Sequence, residues 1–298
     1  MKKILLAGCG GGYDVFGVIP LYLKFKNDNT IFISSLSFTS MDTLTACDCV
    51  SKINDNLYVV DANLNKIYQD FIYFPEYYLS RELNVNVYII IVDSTIDQIR
   101  NAYMSISSEF DEIYLVDAGC DSLLSGKESE LASYVEDMMN LKAIETISCP
   151  HKYVCAIGLN CDCGHGVVEV ELIDRLAYLR DTNIIVGQRA WSLNDLDIKM
   201  YVEICSKSNL TNTIVHSLVI ARLYGKAGYY TPDHLTYRLT NNKVNLSDLT
   251  TLFITCDYDR LQKTIIYFDG LAGSFDRDQT DDYVTEFVSK LDGNCSRE

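Results

Sequence analysis

The chain reads as an α/β protein with a doubly wound, mainly parallel, Rossmann-like sheet. Three observations predict this. Short apolar runs alternate with amphipathic segments over residues 1–190. Several of the runs end in Asp or Gly, the pattern of strands feeding parallel crossovers. The polar motifs with chemical character all follow strands, and open α/β sheets bind ligands at the carboxyl ends of their strands.

Each element has its own signal. Residues 4–7 read as a strand and 15–26 as a helix. Residues 30–37 are rich in β-branched and aromatic residues, which suits a strand. A short strand follows at 57–61, a helix at 74–83, and a central strand, apolar on both faces, at 85–93. Ser94 is the expected N-cap of the next helix, whose stripe is Ile96, Ile99, Tyr103 and Ile106. Residues 113–117 form the next strand. A helix at 130–147 turns Leu131, Val135, Met138, Met139 and Leu141 inward. Strand 153–159, helix 168–180 and strand 184–186 complete the pattern.

The texture changes after Trp191. Two helices are expected at 196–207 and 211–224, then a polar, turn-rich stretch at 225–240. Strands follow at 249–256 and 264–268. A last helix spans 280–291, with Thr280 as N-cap and Asp281 and Asp282 in its first turn. No linker-like stretch interrupts the chain. The expectation is one domain over 1–298, with 1–190 as core and 191–298 as a C-terminal α/β elaboration.

Composition narrows the function classes. The 298 residues are 48% apolar and 22% charged, ordinary for a globular protein. Twenty-five basic and 41 acidic residues give a net charge of -16. That disfavours nucleic acid and anionic membrane surfaces as partners. Eleven cysteines, odd in number and scattered, suggest free thiols in a reducing cytoplasm rather than a disulfide framework. The pairs Cys47/Cys49 and Cys161/Cys163 lack the usual structural-zinc spacing. The apolar run at the start stops at Gly8, too short for a secretory signal.

Three motifs carry chemistry. Gly8-Cys9-Gly10-Gly11-Gly12-Tyr13-Asp14 joins the first strand to the first helix. Gly8, Gly10, Gly11 and Gly12 allow close backbone approach, and a helix start offers N–H groups to an anion such as phosphate. Tyr13 breaks the dinucleotide fingerprint, and serines stand where its ribose-binding acid belongs. Asp14 fits a dipole-complementing role or a ligand role equally. The second motif, residues 116–128, brings Asp117, Asp121 and Glu128 off a strand end. Such acids serve a divalent cation, a general base or sugar hydroxyls, and Asp121 also suits a helix cap. The third, residues 160–167, offers Asp162 and His165 as an acid–base pair or mixed metal ligands. Glu136 and Asp137 lie on a helix, where acids usually face solvent. Arg189 reads as a phosphate partner or, more simply, as one half of a salt bridge.

These residues also carry a family resemblance. Gly10-Gly11-Gly12-Tyr13-Asp14-Val15 resembles a GGGGDVV opening, and residues 117–128 resemble a D-G-G-x-D-S-L…G-x-E block. Val135-Glu136-Asp137-Met138 matches V-E-D-M, and residues 158–167 resemble G-x-D-C-x-H-G-V. Together they resemble the domain of unknown function 1152 family over roughly the first 180 residues. Cys120 and Ser133-Tyr134 depart from the family pattern without removing a carboxylate. The resemblance implies the fold and a shared site, and no reaction.

Two function classes follow. One is an enzyme acting on a nucleotide-like or phosphorylated small molecule by hydrolysis or group transfer, using Asp117, Asp121, Asp162 and His165. Gly8, Gly10, Gly11, Gly12, Asp14 and Glu128 would then hold the ligand, with a divalent metal as an optional cofactor. The other is a nucleotide- or metabolite-binding sensor without turnover. Homo-oligomerisation stays open under both.

Overall fold

The structure is a computed structural model that describes residues 1–298 except 65–69, 72, 209–212, 234–242 and 296–298. Side chains in the last helix are described to residue 291.

The strands are β1 (Lys3–Gly8), β2 (Thr30–Ser37), β3 (Val50–Lys52), β4 (Leu57–Val60), β5 (Val87–Ile91), β6 (Glu112–Ala118), β7 (His151–Ile157), β8 (Ile185–Ala190), β9 (Gly228–Tyr230), β10 (Val244–Leu246) and β11 (Leu252–Asp257). The helices are α1 (Ile19–Phe25), α2 (Met41–Ala46), α3 (Pro75–Leu83), α4 (Ile96–Ile106), α5 (Val135–Ile144), α6 (Glu169–Asp181), α7 (Leu196–Lys207), α8 (Ile214–Leu223), α9 (Tyr258–Leu261) and α10 (Arg277–Cys295).

Nine described strands form one mixed sheet in the order β3-β4-β5-β2-β1-β6-β7-β11-β8. The block β5-β2-β1-β6-β7 is parallel throughout. β3 and β4 at one side, and β11 with its neighbours at the other, pair antiparallel. This is a doubly wound α/β fold. β1 is buried on both faces: Ile4 and Leu6 join one core, Leu5 and Ala7 the other. The first core packs beneath α1, α3 and α7, the second beneath α4, α5, α6 and α10. The strand order reverses between β1 and β6, so the crevice at their carboxyl ends is where such sheets place ligands.

Several boundaries differ from the sequence reading. The helix expected at 15–26 is a 3₁₀ turn, Gly12–Val18, followed by α1. Pro20 lies in the first turn of α1, where its ring is tolerated; deeper in one long helix it would clash with the preceding turn. Thr95, not Ser94, caps α4 through a reciprocal pair with Gln98. The helix expected at 130–147 is confined to α5. Residues 264–268 form no strand. Ile265, Tyr267 and Phe268 are buried in a turn, and an apolar run this short does not distinguish the two. α10 starts at Arg277, because Asp276 and Gln279 pair reciprocally ahead of it. Thr280 instead donates its hydroxyl to the Asp276 carbonyl.

The C-terminal segment contributes β11, which inserts between β7 and β8. β9 and β10 form a separate antiparallel pair. The first residues of the helix expected at 211–224, and much of the turn-rich stretch at 225–240, lie outside the described residues. Among the described residues, no helix is long and apolar enough to cross a membrane.

Candidate functional site

A cavity of about 680 Å³ opens at the carboxyl ends of β1, β6 and β7. Gly10, Gly11, Asp14, Asp117, Asp121, Asp162 and His165 all line it. Three turns far apart in sequence therefore converge on one site. Gly8 lies just behind, as the buried last residue of β1.

Each acid is held by its own local structure. Asp117 ends β6 as a buried side chain, and its Oδ2 accepts the Ser122 N–H (3.1 Å) and hydroxyl (2.6 Å). Asp162, in the turn after β7, accepts the Cys120 N–H at 2.6 Å. That turn is anchored through Asn160, which donates to the Asn245 carbonyl and accepts from Thr250. Asp121 accepts the Ser133 hydroxyl at 3.1 Å. Asp14 accepts the Gly10 N–H at 2.9 Å and a second N–H from Ala118. His165 stands exposed at the rim, its own N–H donated to the Asp162 carbonyl.

The glycine loop works differently from a bare phosphate cradle. The Gly10 N–H is committed to a carboxylate. A Cβ at Gly10 would lie 2.6 Å from Asp137 Oδ2 and 2.8 Å from Asp14 Oδ2. The glycine is there so that two acids close over it. Gly12 faces Tyr73 rather than the cavity. Beneath the loop, His216 is fully buried and bridges Tyr201 and the Tyr13 carbonyl at 2.6 and 2.9 Å. Its Nε2–H donates to that carbonyl, so Nδ1 accepts from Tyr201, and burial pushes its pKa down to about 4. A neutral imidazole thus pins the loop.

Three residues stand elsewhere than the sequence predicts. Asp137 was expected to face solvent with Glu136, yet both are buried and line the cavity. α5 has no exposed face: all ten of its residues are buried, its acids included. Its sequence, VEDMMNLKAI, mixes Glu136, Asp137, Asn140 and Lys142 with apolar residues, so the burial of its acids is a tertiary result that no local pattern marks. Glu128 is the opposite case. It lies outside the cavity, and its carboxylate accepts the N–H groups of Ser125, Gly126 and Lys127 and the Ser125 hydroxyl. The short loop wraps its own acid and carries it away from Asp117. Glu128→Ala is expected to lower stability by about 1–3 kcal/mol in urea denaturation, through unsatisfied buried donors. Divalent cation binding at the main cavity should not change. Arg189 pairs with Asp195 and Asp197, as the simpler reading held.

Arg277 was also missed. It stands at the start of α10, pairs with Glu136 and lies over the Phe38 ring, 5.8 Å from its centroid. Nothing in its local sequence marks it, because its partner is 141 residues away.

The electrostatics are extreme. Six carboxylates and one guanidinium are among the lining residues. Burial first, then mutual repulsion, pushes Asp117 and Asp137 well above the usual carboxylate range. Asp162 and Asp121 shift the same way, for the same leading cause. Burial raises Asp14 to about 7, with Asp121 next in effect and the Gly10 and Ala118 N–H groups opposing.

Three of these acids have metal-site geometry. One oxygen each from Asp14, Asp117 and Asp137 lies within 4.8 Å of the others. A hard divalent cation bound at about 2.0–2.6 Å holds oxygens no more than about 5 Å apart, so the set fits. Among the described residues, Asp137 Oδ1 is buried with no hydrogen-bond partner, which leaves one acceptor to be satisfied.

No curated protein matches the chain. The family described as protein of unknown function (DUF1152) matches residues 5–287, running well past the four motifs that carry the resemblance. The chain therefore belongs to the DUF1152 family.

Proposed function

We propose that the protein is a divalent-cation-dependent enzyme that hydrolyses, or transfers a group from, a phosphorylated or nucleotide-like small molecule. The observation that carries this reading is the buried oxygen of Asp137, without a hydrogen-bond partner among the described residues, beside Asp14 and Asp117. Six clustered carboxylates repel a bare phosphate, so an anionic ligand requires a cation between them. Asp14, Asp117 and Asp137 would hold it. A bound cation would neutralise the carboxylates and polarise a phosphoryl oxygen.

The remaining side chains supply the proton chemistry. In hydrolysis, a water oxygen forms a bond to phosphorus as the bond from phosphorus to the leaving oxygen breaks. His165, at the rim, accepts the proton that the water loses. Asp162, kept in its protonated direction by burial, gives a proton to the leaving oxygen. Its hydrogen bond from the Cys120 N–H fixes the carboxyl plane for that transfer. The same groups serve transfer if another hydroxyl replaces water.

The reading keeps nucleic acids and membranes out of the partner set, given the net charge of -16. It places the protein in the cytoplasm, in line with free thiols at every described cysteine.

The test is a panel of nucleotides, sugar phosphates and an aryl phosphate, each incubated with Mg2+, with Mn2+ and with EDTA. Products are read by mass spectrometry. At least one compound should turn over only with cation, and Asp162→Asn should lower its rate by about 100-fold or more. Cation-dependent binding of an unchanged compound would favour the sensor reading. Neither binding nor turnover of any compound would overturn the proposal.

A further inference from the structure

The acidic cavity does not end at its carboxylates. Phe38 and Tyr73 form a wall shared with an adjoining hollow of about 650 Å³. Phe71 and Asp70 also line that hollow. Resting on the cation-site reading above, we propose that the joined cleft is a nucleotide site. The phosphates lie in the acidic cavity beside Arg277, and the base stacks on Phe38 and Tyr73 in the hollow.

The glycine loop is built for this arrangement. A Cβ at Gly12 would run into the Tyr73 hydroxyl at 2.2 Å and touch Phe38 Cδ2 at 3.4 Å. A Cβ at Gly11 would sit 3.2 Å from Phe38 Cε2. The two glycines make room for aromatic rings packed across the loop. Tyr73 is further fixed by an edge contact with Tyr13, at 5.5 Å between ring centroids. Phe71 is seated edge-on against Phe74 and Tyr77.

Phe38 is 42% exposed and lines both compartments, so its ring is accessible from the cleft. One side of its ring carries the Arg277 guanidinium. Arg277 thus stands at the junction of the two compartments, its charge shared with Glu136. A guanidinium between an acidic, cation-binding chamber and an aromatic chamber matches the order phosphate, then base. Asp70, held at 3.2 Å by the Tyr78 hydroxyl, is an acceptor for ribose hydroxyls. A sugar phosphate or free phosphate would fill the first chamber and leave the rings bare.

The inference and the cation reading are tested separately. Mn2+ binding is measured first by electron paramagnetic resonance on wild type and Phe38→Ala. Equal Mn2+ affinity is expected, because Phe38 offers no oxygen ligand and is not one of the three carboxylates of the cation set. ADP, ribose 5-phosphate and inorganic phosphate are then titrated calorimetrically into the Mn2+-loaded protein. ADP should bind about ten-fold or more tighter than ribose 5-phosphate, in line with base–aromatic stacking. Phe38→Ala should remove that advantage and leave phosphate affinity unchanged, while Phe38→Trp should restore it. Equal binding of ADP and ribose 5-phosphate, or ADP binding indifferent to Phe38→Ala, would overturn the inference. Should Mn2+ fail to bind, the cation reading falls, and adenosine, which carries no phosphate, titrated into wild type and Phe38→Ala still decides for or against stacking.

Discussion

Replacing Asp137 with Asn will stabilise the cation-free protein and abolish its response to divalent cations. Asp137 is buried, it is pushed toward protonation by burial and by Asp121, and its Oδ1 has no hydrogen-bond partner among the described residues. An amide of the same shape removes the burden of a desolvated charge beside Asp14 and Asp117. It also removes one of three ligands. Outer-shell partners of a metal are each worth about 10- to 100-fold in affinity, so loss of a ligand should weaken Mn2+ binding by more than about 100-fold. Titration by electron paramagnetic resonance measures the affinity, and thermal melts in EDTA measure the stability. Unchanged Mn2+ affinity in the variant would remove Asp137 from the site.

The stability of the cation-free protein should fall as pH rises through neutrality, the reverse of ordinary acid denaturation. The folded-state carboxylates here have raised pKa values, so the folded state binds more protons than the unfolded chain. Their contribution is complete below the unfolded value, near 3.9, and is lost as pH passes the folded value. For Asp14 that value is about 7. His216 has a depressed pKa and acts oppositely, but only between about 4 and its unfolded value near 6.5. Between about pH 6.5 and pH 8.5 the carboxylates dominate, and the Tm in EDTA should drop by about 5 °C or more. Saturating Mg2+ or Mn2+ should cancel most of the drop, because binding to the ionised cluster stabilises the folded state. A Tm that is flat or rising over that interval in EDTA would contradict the coupled-acid account.

Much of the fold is legible in the sequence because each central strand is buried on both faces and announces itself as an apolar run. The parallel block follows directly from those runs. β3 is too short and too exposed to leave such a signal. The place of β11 between β7 and β8 is a long-range pairing that local pattern does not encode. Residues 264–268 mislead because burial alone selects their side chains.

The site follows the same logic. Asp117 is conspicuous because an acid at the end of a buried strand has few structural excuses, and Asp14, Asp121 and Asp162 are legible through the polar turns that follow strands. Asp137 hides on a helix, where acids are ordinarily solvated, and only the tertiary burial of α5 on every side reveals it. Glu128 was over-read because it is close to Asp117 in sequence, whereas its loop turns back to bind it through backbone N–H groups. Arg277 reaches the cavity from the far end of the chain, and tertiary packing alone reveals it.

The most direct measurement is an anomalous difference map from crystals soaked in Mn2+. The account predicts one strong peak within about 2.0–2.6 Å of oxygens from Asp14, Asp117 and Asp137. Crystals saturated with Mn2+ that show no peak among these three carboxylates would contradict it.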